Sequence, residues 1–371
     1  MSKTTILGDS RAFDTYYLNS LYEEGYGYDK TFAYLMMRQG DRQGLGHEVI
    51  HIPDHFRAGT VESNILRLAL TDPDVVVLLN GIWETLVNKK MFTEYAMQCI
   101  GHHSTHGGET LHLEYSSRAL ADLFIADKLP NSPARFAERE RRIASYFLRR
   151  GRQAVVMNLP VPGPDHLNSV HYAGNYRCIP HWGECLSALN ERVAPILEAY
   201  GAKVFDTNAL MHECGGPAAC LIDQWHFSPA FHARIAERLT EFLNDLNAQT
   251  PALAESVRKK DIMPGAMPSE PVLVFGAGEE AAAWIREHPK VPVAGVIAPG
   301  DGRERFVSAP VVGLDEACAS TARIVILAVP ASTLPEVEPR LISTLVPKGK
   351  ILLLPEELDP LHNPLAQGRE G

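Results

Sequence analysis

The sequence predicts an α/β protein built as two successive parallel-sheet units. Three observations predict it: strand-length apolar runs alternate with helix-compatible stretches through residues 1–247, the pattern breaks over 248–270, and the same alternation restarts over 271–371. Strands alternating with helices form a parallel sheet covered by helices, because each crossover needs a long return of chain. A length of 371 residues also suits two domains of the usual size, about 100–200 residues each.

In the first unit the strand-like runs are Thr4–Leu7, Glu48–Ile52, Val75–Leu79, Ala154–Leu159 and Lys203–Phe205. The stretch from Thr85 to Arg150 is longer than a crossover needs, and Pro133–Arg150 has helical spacing with many Arg and Glu, so it reads as a mostly helical insertion near the active face. Residues 248–270 carry Pro251, Pro264 and Pro268, lose strand periodicity and gather Arg258, Lys259 and Lys260, which marks a linker. Beyond it, PVLVFGAGEEAAAWIREH, VPVAGVIAPGD, RIVILAVPAS and KGKILLLPEEL each open on or contain a strand-length apolar run, giving a smaller α/β domain.

Composition excludes several classes. The formal net charge of −10 opposes the phosphate neutralisation that nucleic-acid binding requires. No apolar run reaches the length of a membrane span. The N-terminal MSKTTILGDS shows no signal-peptide pattern, so the expected compartment is the cytoplasm. There the 6 cysteines, none of them in a CxxC pair, read mostly as small core residues.

Gly8-Asp9-Ser10 follows the first strand at its carboxyl end, where open parallel sheets place their active sites. Asp223-Gln224-Trp225-His226 precedes a helix through Phe231–Leu243, so an acid and an imidazole stand three residues apart on one loop. A serine hydroxyl is weakly nucleophilic until a base takes its proton, and the base works best when a carboxylate fixes its tautomer. Ser10, His226 and Asp223 suit those three roles. The other reading makes Ser10 a helix N-cap and His226 a loop histidine.

These two motifs, with PDVVVLLNG between them, resemble the SGNH/GDSL hydrolase family of esterases, lipases and glycan deacylases over residues 4–247. The resemblance implies a flavodoxin-like three-layer α/β/α domain. It also implies an oxyanion hole made by the N–H of Ser10, a glycine after the second strand and an asparagine after the third. Gly59 is the candidate glycine, or else a turn residue. Aligned without gaps, DVVVLLNGIWE puts Gly81 on the family's glycine but Trp83 on its asparagine and Glu84 on its aspartate. The third donor is then Asn80 by reorientation, Trp83, or none. Arg11, where many relatives have leucine, suits an anionic substrate group or a helix surface. Asp9, Arg11, Gly81, Trp83, Glu84 and Trp225 are the candidate substrate-binding positions, with His181-Trp182 as an aromatic wall or simply core. The strand end Asn158–Pro162 reads as pocket lining or a strand stop, and Asp206 as structural.

His102, His103, His106 and His112 gather in the inserted region, but Gly107-Gly108 points to a loop and there is no HExxH pattern; they read as substrate-facing or solvated rather than as a metal site. In the second unit VLVFGAGEEA is a strand, a glycine turn and a helix start, with Gly276 and Gly278 able to approach an anion closely. This domain resembles the small Rossmann-like N-terminal domain of bacterial sugar acyltransferases, which implies a nucleotide or nucleotide-sugar pocket. The acid expected about 20 residues on comes late, at Asp301. The equal alternative is that the glycines only permit strand-to-helix packing in a scaffold or a module for homo-oligomers.

The expected function is a serine esterase or deacylase that works through an acyl-enzyme on an O-acylated small polar molecule or a carbohydrate ester such as a glycan precursor, with no cofactor for that chemistry. An alcohol in place of water would make the same triad an O-acyltransferase. The reading from another class is a non-catalytic nucleotide- or nucleotide-sugar-binding assembly protein.

Overall fold

The computed structural model describes residues 2–8, 12, 28–43, 47–53, 61–79, 86–88, 121–129, 132–162, 176–178, 182–222, 226–249, 268–298 and 304–358. Its first part contributes β1 (Ser2–Gly8), α1 (Phe32–Gln43), β2 (His47–Pro53), α2 (Val61–Leu70), β3 (Val75–Leu79), β4 (Leu86–Asn88), α3 (Pro133–Leu148), β5 (Gln153–Met157), β6 (Tyr176–Cys178), α4 (Trp182–Ala199), β7 (Lys203–Phe205), α5 (Thr207–Glu213), α6 (Pro217–Cys220) and α7 (Pro229–Gln249). Five of the strands form a parallel sheet in the order β2-β1-β3-β5-β7, and β4 and β6 pair separately as an antiparallel ribbon.

Alternation along the strands explains the layering. Leu7, Val76, Leu78, Ala154 and Val156 face a layer made by α2, α3 and α4, whereas Ile6, Val75, Val77, Leu79, Val155 and Met157 face α1, α5 and α7. Every residue of β3 is buried, as its unbroken apolar run requires of a central parallel strand. Fully burying each such aliphatic side chain contributes about 1.5–3 kcal/mol. Helix starts follow their capping chemistry: Ser132 accepts from Arg135 N ahead of Pro133, and Asp206 accepts from Ala209 N at 2.9 Å, which gives Asp206 the structural role expected of it.

Beyond residue 268 come β8 (Val272–Phe275), α8 (Glu279–Glu287), β9 (Val293–Ile297), β10 (Arg305–Phe306), β11 (Ala309–Val312), α9 (Leu314–Ala319), β12 (Ile324–Leu327), α10 (Leu334–Leu345) and β13 (Ile351–Leu353). Their sheet runs β10-β11-β9-β8-β12-β13, parallel except for β10 on β11. The β10–β11 pair was not foreseen from the sequence, because its strands are short and carry Pro310 and half-exposed positions.

Pro133–Arg150 is not an insertion. Its helix α3 returns the chain from β3 to β5 and packs on α2, α4 and β5, so it belongs to the crossover itself. It is also where the two sheets' cores join: one apolar cluster runs from Leu7, Val76 and Phe147 through Leu341, Leu345 and Leu352. At that junction Arg141 reaches Glu338 at 2.9 Å, Arg149 reaches Glu338 at 2.8 Å and Glu357 at 2.5 Å, and Arg150 reaches Glu357 at 3.0 Å. The ring of Tyr146 lies under Arg150, 3.6 Å from the guanidinium carbon, and Tyr200 accepts from Arg141 at 3.0 Å. Arg149 also binds Leu352 twice, its carbonyl accepting from Leu352 N at 2.9 Å and its guanidinium donating to Leu352 O at 3.2 Å.

Candidate active site

The topology of the first sheet singles out one candidate site. From β1 the chain goes to β2 on one side and then to β3 on the other, so the crevice at the carboxyl end of β1 is the switch point where such sheets bind ligands. There Gly8 pairs with Pro53 and Leu79. A Cβ on Gly8 would stand 2.6 Å from the Cβ of Ala12, so only glycine lets Ala12 pack this close to the end of β1. Gly8→Ala is expected to destabilise the fold by about 1–3 kcal/mol. Adding Ala12→Gly should recover most of the thermal midpoint, and a double variant no better than Gly8→Ala would contradict the clash.

Asp9, Ser10, Arg11, Gly59, Asn80, Gly81, Trp83, Glu84, Asp223 and Trp225 lie outside the described residues, as do His102, His103, His106, His112 and His181. His226 is described. It is buried, and its loop is closed at both ends: Leu221 bridges Phe227, Ile222 N donates to His226 O at 3.0 Å, and Ser228 N donates to Cys220 O at 2.8 Å. Ser228 accepts from Phe231 N at 3.3 Å and donates to Ala219 O at 3.2 Å, tying the start of α7 to α6. His226 therefore stands in a described stretch, residues 226–228, that is bonded back to the end of α6 and leads into α7.

The solved structures similar to this chain include esterases. Est24, a carbohydrate acetylesterase from Sinorhizobium meliloti, is 16% identical with a TM-score of 0.40 over 66% of this chain and 100% of its own. The psychrotrophic esterase EstA from Pseudoalteromonas sp. is 11% identical with a TM-score of 0.39 over 67% and 100%. The lipase/acylhydrolase from Enterococcus faecalis is 16% identical with a TM-score of 0.38 over 66% and 97%. No protein-family model and no curated relative matches the sequence.

Asn158, at the end of β5, is committed to holding strand ends together. Its carbonyl accepts from Thr207 N at 2.7 Å and its amide donates to Asp206 at 2.8 Å. Asn190 and Asn208 fix the backbone of Leu159 and Val161 in the same way. The cavity beside them, between β5, α3 and α4, is about 20 Å³, room for one water rather than an acyl chain.

His232, one turn into α7, went unnoticed in the sequence, where a histidine on an apolar helix face looks like core. It is buried, and its Nδ1 accepts from Phe32 N at 3.1 Å. Burial, reinforced by the charge of His226, pushes its pKa down to about 3. The unfolded imidazole takes a proton near 6.5, so the stability that comes from keeping His232 neutral is complete above that pH and is lost as the pH falls from about 6.5 to 3. The slope for one proton approaches about 1.4 kcal/mol per pH unit. Thermal midpoints measured between pH 7 and 4 should fall more steeply for the native protein than for His232→Asn. Equal slopes would contradict this assignment.

In the second sheet Gly276 has a φ of +114°, and a Cβ there would lie 2.5 Å from Ala328 O. Its freedom is used by the neighbouring backbone at the end of β12. Gly278 caps α8 without a side chain, and Glu279 and Glu280 occupy that helix's first turn. Two carboxylates stand where a pyrophosphate would seek the positive helix end. Among the described residues no helix is long and apolar enough to cross a membrane, and Cys185, Cys214, Cys220 and Cys318 are free thiols.

Proposed function

We propose that this protein is a serine esterase or acylhydrolase of the SGNH/GDSL type. In this reading Ser10 attacks the ester carbonyl, and His226 takes the hydroxyl proton and passes it to the leaving alcohol. Asp223 holds the imidazole, and water, activated by His226, then clears the acyl-enzyme. One observation carries the reading: β1 ends at Gly8 on the switch point, immediately before Asp9-Ser10 in the sequence, and His226 follows the last strand of the same parallel sheet. The N–H of Ser10, Gly59 and Asn80 would receive the oxyanion, and Asp9, Arg11, Gly81, Trp83, Glu84 and Trp225 would face the substrate, a small polar or carbohydrate O-acyl ester.

The second unit is read as Rossmann-like, supported by its parallel strand order, in which β8 lies between β9 and β12. Within it we favour a scaffold over a nucleotide or nucleotide-sugar site, because Gly276 is filled by backbone and Glu279 and Glu280 repel phosphate. The deciding experiment for the enzyme is treatment of the full chain with a fluorophosphonate, followed by intact-mass and peptide mapping, beside turnover of p-nitrophenyl acetate and butyrate. A single adduct on Ser10 with matching loss of turnover is expected. Faster deacylation on adding a sugar alcohol would reassign the chemistry to acyl transfer, and the absence of both adduct and turnover would leave the assembly-protein reading in its place.

A further inference from the structure

The first residues of a helix present N–H groups that the helix itself cannot bond. In α1 the N–H of Phe32 is taken by a side chain 200 positions away, the Nδ1 of His232, at 3.1 Å. An acceptor Nδ1 fixes the neutral tautomer, with the proton on Nε2. The ring is also gripped from both sides: Phe32 stacks on it with centroids 6.0 Å apart and planes at 23°, and Phe227 meets it edge-on at 5.4 Å and 80°. Phe227 is fully buried, packs edge-on against Phe231 at 5.3 Å and immediately follows His226.

We propose that His232 is a positioning residue for His226: by capping α1 and packing on Phe227 it fixes the loop that carries the catalytic imidazole to the helix layer beside β1. The proposal rests on the esterase reading for its catalytic consequence, but the pin itself does not. Helix α1 follows β1 in the chain and covers the same face of the sheet as α7, so His232 joins the element after the nucleophile strand to the element after the base. The site demands an acceptor, and histidine supplies it on a flat ring that two aromatic side chains can clamp. Leucine fills the volume without the acceptor, and asparagine places an amide oxygen about where Nδ1 stands.

The test uses the full chain with His232→Leu and His232→Asn. For His232→Leu, kcat on p-nitrophenyl acetate should fall tenfold or more with KM changed less than twofold, and the rate of Ser10 phosphonylation should fall in parallel. For His232→Asn, kcat should stay within about threefold of the native value. A kcat for the leucine variant within twofold of native, or an equal loss in both variants, overturns the proposal. If the leucine variant does not fold, a loss of more than tenfold in folded His232→Asn overturns it. NMR separates this from the fate of the esterase reading. The Phe32 amide should exchange slowly in the native protein and fast in His232→Leu, and the His226 ring nitrogens should shift between the two. If native protein neither labels at Ser10 nor turns over ester, the esterase reading fails; unchanged Phe32 exchange and His226 shifts would overturn the pin.

Discussion

Alanine at Ser10 is expected to lower ester turnover by about 10⁴-fold or more while leaving the thermal midpoint within a degree or two of native. The hydroxyl contributes little to packing energy, whereas the acyl-enzyme route needs its oxygen. His226→Ala should cost about as much, because the serine alone ionises too rarely to attack. The double variant should be no worse than either single one, since members of one catalytic unit do not add. Asp223→Asn should cost up to about 10⁴-fold, because the imidazole loses the carboxylate that sets its tautomer. Residual turnover within tenfold of native in Ser10→Ala would sink the mechanism. Folding must be checked by near-ultraviolet circular dichroism, since Ala12 packs against Gly8 too closely to tolerate a shift of the chain nearby.

Removing the charge of Glu338 should give the largest loss of stability, about 3–5 kcal/mol for Glu338→Gln or Glu338→Ala, with a fall in thermal midpoint of about 5 °C or more. Its side chain is 0% exposed and meets both Arg141 and Arg149, which are 10% and 2% exposed, so its loss leaves guanidinium charge in the interior. Arg149→Lys should also be costly, because an ammonium cannot touch Glu338, Glu357 and the Leu352 carbonyl together. The control is Arg234→Ala, which breaks a pair at 2.5 Å whose side chains are 40% and 54% exposed and should change stability by under about 1 kcal/mol. Similar denaturation midpoints for the two would contradict the ranking. Acid should weaken the same junction. Burial alone would raise the Glu357 carboxyl, but Arg149 and Arg150 outweigh it and bring its pKa from 4.5 to about 2, so its contribution is present above about 4.5 and is lost as the pH falls toward 2.

Most of the first sheet was readable because a buried parallel strand advertises itself: Val75–Leu79 is five apolar residues in sequence and five buried residues in the sheet. The β5 run was read two residues too long, since Asn158 and Leu159 already belong to the bonded turn after Met157. Of the site, the loop of His226 was visible from local chemistry, whereas the need for glycine at position 8 shows only once Ala12 is seen packed against it. His232 was not visible, because what distinguishes it from a core histidine is a backbone N–H 200 positions away. Arg141, Arg149 and Arg150, read only as part of a helical insertion, were illegible for a similar reason. Their spacing looks like a solvated helix face, and only Glu338 and Glu357, near the other end of the chain, turn that face inward. The second unit was legible as strands and helices but not as a partner for α3. A fragment starting at 268 would leave Glu338 and Glu357 without their arginines and expose Leu341 and Leu345.

The pair of hydrogen bonds between Arg149 and Leu352 has a consequence for self-association. β13 is three residues long and lies at the border of its sheet; Ile351 turns its N–H toward β12, so Leu352 is the residue whose peptide groups face outward. Both are already taken, which closes that border to strand addition by another chain. Sheet growth between copies is then left to other borders, such as β10. Substitutions at Arg149 should accordingly do more than lower the midpoint: they keep the backbone bond to the Leu352 N–H but free its carbonyl beside newly loosened apolar surface, and such variants should aggregate on heating at concentrations where the Glu338 variants still refold.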